Sequence, residues 1–90
     1  MKDKPRFEEL LEFPCLFVFR VIAEGGDGLK EACGAMVEET IMRSCDSMEN
    51  QPSKKGNYQV IRIGVMVVSA NEIRDLYTSL HSVTGVRMVL

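Results

Sequence analysis

The side chains that could carry chemistry are few and widely spaced along this sequence. It has one histidine, His81, and three cysteines, Cys15, Cys33 and Cys45. No two cysteines form the CxxC pair of a zinc knuckle or a redox motif, so free thiols in a reducing cytoplasm are expected. A nucleophilic pair of Cys45 and His81 would need an orienting third group and an oxyanion site, and no motif indicates either. The sequence therefore predicts no catalytic residue, no metal ligand and no cofactor.

A glycine-rich loop is the first candidate site. Gly25-Gly26-Asp27-Gly28 stands directly before a predicted helix. Exposed backbone amides at a helix N-terminus attract a carboxylate or another anion, so Gly26, Asp27 and Gly28 are candidates for binding a small carboxylate. In the alternative interpretation the loop is a flexible turn in which Asp27 caps the helix.

Three arginines form the second candidate site. Arg20, Arg62 and Arg87 each interrupt an apolar stretch that predicts a strand. If the apolar residues beside them face the helices, all three arginines lie on the sheet face turned away from the helices, which we call the open face. This surface could bind a protein partner or mediate self-association. Alternatively, the arginine stems only shield apolar surface.

The elements that position these residues follow from the periodicity of the sequence. Apolar stretches predict strands over 15–22, 58–68 and 86–90, and helical spacing predicts helices over 29–43 and from about 70 to 82. The polar segment 45–55 contains Pro52 and could only be an edge strand. Two right-handed crossovers joined by a hairpin give an α+β, ferredoxin-like βαββαβ sandwich. Its four-stranded sheet should have the order 4-1-3-2, with two helices on one face.

The alternation within each strand predicts which side chains are buried. Ser69 and Glu72 fit a capping box at the start of the second helix. The side chains expected to face the helices are Phe17, Phe19 and Val21 in the first strand, Ile61, Ile63, Val65 and Val67 in the third, and Val86, Met88 and Leu90 in the fourth.

Length and charge restrict the function further. We expect a single domain over residues 1–90, in which residues 1–13 form an N-terminal extension. The net charge of −2 provides no attraction to nucleic acid or to an anionic membrane. Asn57, Gln59 and Arg62 occupy positions where RNA-recognition domains need stacking aromatics. No apolar run approaches the roughly 20 residues that span a bilayer. These observations predict a cytoplasmic protein that binds neither nucleic acid nor membrane.

Three segments carry a resemblance to a known family. Leu10-Leu11-Glu12-Phe13-Pro14, Pro52-Ser53-Lys54-Lys55-Gly56-Asn57-Tyr58 and Val86-Arg87-Met88-Val89-Leu90 resemble the YbeD-like family of small bacterial proteins. The resemblance implies a βαββαβ fold similar to ACT regulatory domains, which bind amino acids at dimer interfaces. The ACT motif Asp-x-Pro-Gly is only partly matched by Asp27-Gly28-Leu29, because the proline is missing and the spacing is shorter.

Two functional hypotheses remain. The first is a non-catalytic regulatory or adaptor module that acts through protein contact. The alternative is an ACT-type sensor that binds an amino acid or another small carboxylate beside the glycine loop. Neither hypothesis makes the protein an enzyme.

Overall fold

The computed structural model describes residues 11–90, and its elements follow the predicted order. Most of the predicted extension, residues 1–10, lies outside this range. None of the helices within residues 11–90 is long and apolar enough to cross a membrane. The elements are β1 Cys15–Glu24, α1 Leu29–Ile41, β2 Ser47–Pro52, β3 Tyr58–Val67, α2 Ala70–His81 and β4 Val86–Val89.

The four strands form one antiparallel sheet of order β2-β3-β1-β4, with both helices on one face. This is the predicted order 4-1-3-2 counted from the other edge, so the predicted fold is confirmed. The two most apolar strands, β1 and β3, are central and pair along their whole length, from Cys15 opposite Val67 to Glu24 opposite Tyr58. Strands buried against helices need such apolar sequences.

The core lies between the helices and the predicted inner face of β1 and β3. The ring of Phe19 is fully buried, and its centroid lies 4.7 Å from that of Phe17 and 5.1 Å from that of Tyr77. The inner faces predicted for β1 and β3 are therefore confirmed. The other fully buried apolar side chains among the described residues are Val21, Ala23, Ile61, Ile63, Val65 and Val67 of the sheet and Cys33, Val37, Ile73, Leu76 and Leu80 of the helices.

The predicted start of α1 is wrong in one detail. Gly28 occupies the N-cap position with a φ of 94°, and no side chain caps the helix. Asp27 is therefore not the cap. Glycine suits this position because a side chain disfavours positive φ. The helix also ends at Ile41, two residues before the predicted end, where Met42 adopts a left-handed φ of 59°.

The predicted Ser69 cap of α2 is confirmed, although Glu72 bonds the amide of Val68 and not that of Ser69, as a capping box would. The Ser69 hydroxyl accepts a hydrogen bond from the Glu72 amide at 3.2 Å. The Glu72 carboxylate accepts from the Val68 amide at 3.0 Å, and from the Arg43 guanidinium at 2.8 and 3.0 Å. The hydrogen bond from Arg43, with that from the Val68 amide, lowers the pKa of Glu72 below its usual range. This pair ties the segment after α1 to the start of α2.

The inward orientation predicted for Met88 and Leu90 is wrong. Ala23 pairs with Val86 and Ile22 pairs with Met88, so Arg87 is the additional residue of a β-bulge. A bulge shifts the alternation by one residue, which moves every later side chain to the opposite face. Val89 is consequently buried, whereas Met88 and Leu90 are about half exposed.

Candidate functional site

Arg20 and Arg62 lie side by side at the centre of the open face. They are direct cross-strand partners on β1 and β3. Glu49 of β2 stands opposite Arg62 on its other side, and the backbone of Leu90 exchanges hydrogen bonds of 3.1 and 2.7 Å with Arg20. Within residues 11–90, neither guanidinium forms an ion pair or a hydrogen bond. Like charges directly opposite each other destabilise a sheet, so this pair does not contribute to folding.

Arg87, the third arginine of the predicted set, has a partner of its own. Its guanidinium donates to the Glu24 carboxylate at the end of β1, over 2.8 Å. The sheet therefore brings Arg20 and Arg62 together, while the charge of Arg87 is neutralised locally. Both members of this ion pair are more than half exposed.

Accessible apolar side chains surround the arginine pair. Leu16 and Val18 of β1 are 57% and 50% exposed, and Met66, which pairs with Leu16, is 40% exposed. The bulge adds Met88 and Leu90 to this apolar surface. The arginine stems therefore leave about half of each apolar side chain open to contact.

A shallow apolar hollow lies on the other side of the arginine pair. It has a volume of about 260 Å³, and its lining includes Ile22, Val60, Tyr58 and Pro52. Ile22 and Val60 are cross-strand partners, each two residues from one of the paired arginines. The hollow was not predicted from the sequence, because Pro52 and Tyr58 meet only through the pairing of β2 with β3.

The glycine loop borders a second, polar hollow of about 290 Å³. Gln59 holds the loop in place from the inner face of β3. This side chain is 3% exposed, and its amide nitrogen donates to the carbonyl oxygens of Glu24 at 2.8 Å and Gly26 at 3.0 Å. Its amide oxygen accepts from Asn50 at 2.8 Å. The residues lining this hollow are Gly26, Asp27, Gly28, Lys30, Glu31, Asn50 and Gln59.

This role of Gln59 was not predicted from the sequence. Gln59 is an even number of residues from Ile61 and Ile63, so its side chain lies on the same buried face of the sheet. A polar side chain on a buried face must find hydrogen-bond partners. The polar residue at an inward-facing position of β3 was the available signal in the sequence. It indicates a buried polar side chain that needs hydrogen-bond partners, but not which segment provides them.

The reactive side chains remain dispersed in the fold. Burial raises the pKa of the Cys33 and Cys45 thiols, which keeps them protonated and weakly nucleophilic. His81 is exposed in the last turn of α2. Across residues 11–90, no three of the His, Cys, Asp and Glu side chains are grouped so that they could hold a metal ion.

The fold is that of a small α+β domain of the ferredoxin-like class. The chain belongs to the family described as "Protein of unknown function (DUF493)", whose model matches residues 8–90. A UPF0250 protein of Idiomarina loihiensis is 39% identical over 88 residues, covering 98% of this chain and 99% of that protein. A UPF0250 protein of Shewanella baltica is 39% identical over 85 residues, covering 94% and 96%. The predicted YbeD-like membership is confirmed.

Solved structures support the same fold. The solution structure of a protein from H. pylori matches with a TM-score of 0.73 and 24% identity, covering 97% of this chain and 88% of that one. The ACT domain of a GTP pyrophosphokinase from Chlorobium tepidum matches with a TM-score of 0.67 and 15% identity, covering 83% and 94%. At these identities the likeness concerns the fold alone.

Proposed function

We propose that this protein is a non-catalytic regulatory or adaptor module that acts through protein contact. Its open face binds an acidic surface of a protein partner. The observation that carries the proposal is the pair formed by Arg20 and Arg62, two neighbouring cations that form no ion pair within residues 11–90, although Glu49 stands opposite Arg62. An acidic partner would form the ion pairs that the two arginines lack, and the surrounding apolar side chains would supply contact area.

The energetics of the pair support a role in binding. Two guanidinium groups on opposed positions of central strands repel each other, so the sheet would be more stable without one of them. A partner carboxylate between them converts this repulsion into attraction and desolvates both arginines. Charged contacts of this kind contribute mainly to partner choice and to the association rate.

Arg20→Glu tests the proposal with a single change. We expect the free energy of unfolding to stay the same or to rise by about 0.2–1 kcal/mol, because the new carboxylate lies opposite Arg62. Binding of the native partner should nevertheless be lost through charge repulsion. Urea unfolding measures the first effect. Capture from an extract of the native cells, with a photoreactive side chain at position 18 to mark contacts with the open face, measures the second.

Lys55→Glu is the matched control. It makes the same change of charge in the exposed turn between β2 and β3. The control should capture and cross-link the same partner as the native protein. If Arg20→Glu also retains that partner and the cross-link at position 18, the open face does not bind it and the proposal fails.

The second candidate function is an ACT-type sensor of an amino acid or another small carboxylate. It is favoured by the polar hollow beside Gly26, Asp27 and Gly28, where Lys30 offers a cation and the first amides of α1 are close. Asp27 and Glu31 line the same hollow and oppose an anion. This opposition makes the sensor the weaker candidate.

A thermal-shift screen with amino acids and other small carboxylates at millimolar concentration tests the sensor. A ligand that binds only the native state raises the melting temperature. The rise should disappear in Lys30→Gln and persist in Lys55→Gln. The absence of any rise excludes the sensor at those concentrations.

A further inference from the structure

We infer that the partner segment that occupies the open face is an amphipathic helix in which one acidic residue is flanked by apolar residues one turn before and one turn after it. The acidic side chain lies between Arg20 and Arg62, and one apolar side chain fills the hollow lined by Tyr58 and Val60. This inference rests on the proposed function and specifies the form of the partner.

The layout of the open face along β1 and β3 provides the pattern. Leu16, Val18 and Met66 form an apolar region on one side of the arginine pair, and the apolar hollow lies on the other side. The order along the strands is therefore apolar, basic, apolar. An occupant that complements it has the order apolar, acidic, apolar.

The spacing of these rows suits a helix. Residues two apart on a strand are roughly 6.7 Å apart, so the rows of Val18 and Ile22 are separated by roughly 13 Å. Helix residues at i and i+7 are about 10.5 Å apart along the axis and lie on one face, with i+3 or i+4 between them. The side chains of the helix and the sheet are long enough to bridge the difference between these two distances.

Backbone hydrogen bonding favours a helix over an extended segment on this surface. A strand laid across the side chains of a sheet would lose water from amides and carbonyls that have no partner there. A helix satisfies these groups internally, which is why helices cover sheet faces in layered domains, including the inner face of this sheet.

The charge distribution disfavours a second copy of this chain as the occupant. Copies joined across a two-fold axis present the same patch to each other. Because Arg20 and Arg62 occupy the two central strands, an interface centred on this face would oppose four guanidinium groups. Such like-charge contact weakens association.

Selection from a displayed library of random 18-residue peptides tests the inference. Peptides would be selected on the native protein and counter-selected on Arg20→Glu. The enriched peptides should carry Asp or Glu with apolar residues three or four positions to each side. Their affinity should fall at least tenfold for Arg20→Glu and about tenfold for Tyr58→Ala. It should be unchanged for Met42→Ala, which alters an exposed apolar residue at the end of α1.

A proline at the centre of an enriched peptide distinguishes a helix from an extended segment. If the peptide binds as a helix, proline should reduce its affinity at least tenfold, and circular dichroism should show helix formation on binding. Unchanged affinity, a selection without enriched peptides, or enriched peptides without the acidic residue would each overturn the inference. The proposed function is judged separately, by whether Arg20→Glu loses the native partner.

Discussion

Phe19→Ala should lower the free energy of unfolding by about 3–5 kcal/mol, which is among the largest effects of any single substitution in this chain. The side chain is fully buried at the middle of a central strand, and its ring packs against those of Phe17 and Tyr77. Alanine would remove the buried ring and its aromatic contacts and would leave a cavity that the close-packed core fills only in part.

Urea unfolding monitored by circular dichroism measures this loss. Val18→Ala is the matched control, because Val18 neighbours Phe19 on the same strand but is half exposed on the open face. We expect this control to cost less than about 1 kcal/mol. A loss below about 1 kcal/mol for Phe19→Ala would contradict the assignment of the two faces of β1.

Gly25→Ala should also be strongly destabilising, lowering the free energy of unfolding by about 2–3 kcal/mol or more. A Cβ atom at this position would collide with the carbonyl oxygen of Gly56 and would lie 2.9 Å from its carbonyl carbon. The Gly25 amide also donates to the Asn57 carbonyl at 2.8 Å, so the end of β1 and the turn before β3 are held together by backbone atoms. Neither side can move without breaking that contact.

Gly34→Ala provides the contrast for this prediction. The added Cβ would approach the sulfur of Met48 at 2.7 Å, but this is the far end of a flexible side chain that can adopt another rotamer. Alanine also favours the helix by up to about 1 kcal/mol. We therefore expect a change within about 1 kcal/mol of the native value in the same unfolding measurement. Equal losses for the two variants would show that the approach of Gly25 to Gly56 can relax.

The sequence by itself determined the order of the elements, the inner faces of β1 and β3, and the cap of α2. These features depend on patterns within one segment: a period of two in a strand, a period near 3.6 in a helix, and a serine three residues before a glutamate. The polar β2 was predictable as an edge strand for the same reason, because Pro52 and the polar side chains restrict where that segment can pair.

Only the tertiary structure decided the register between strands. The bulge at Arg87 turned Met88 and Leu90 to the open face, and the alternation within residues 86–90 could not reveal an additional residue opposite β1. The register between strands also places Arg20 directly opposite Arg62 and brings Arg87 into an ion pair with Glu24. Each of these pairings joins residues more than 40 positions apart, so no local pattern contains it.

The features of the candidate site also fall into those that the sequence predicts and those that only the tertiary structure shows. The sequence indicated that arginines and apolar side chains share the open face, because the alternation of side chains along a strand can be read within one segment. The sequence could not show that two of those arginines are adjacent and form no ion pair within residues 11–90, that a hollow forms beside them, or that Gln59 anchors the glycine loop. Each of these features is a contact between separate segments, and such contacts exist only once the sheet has assembled in one register.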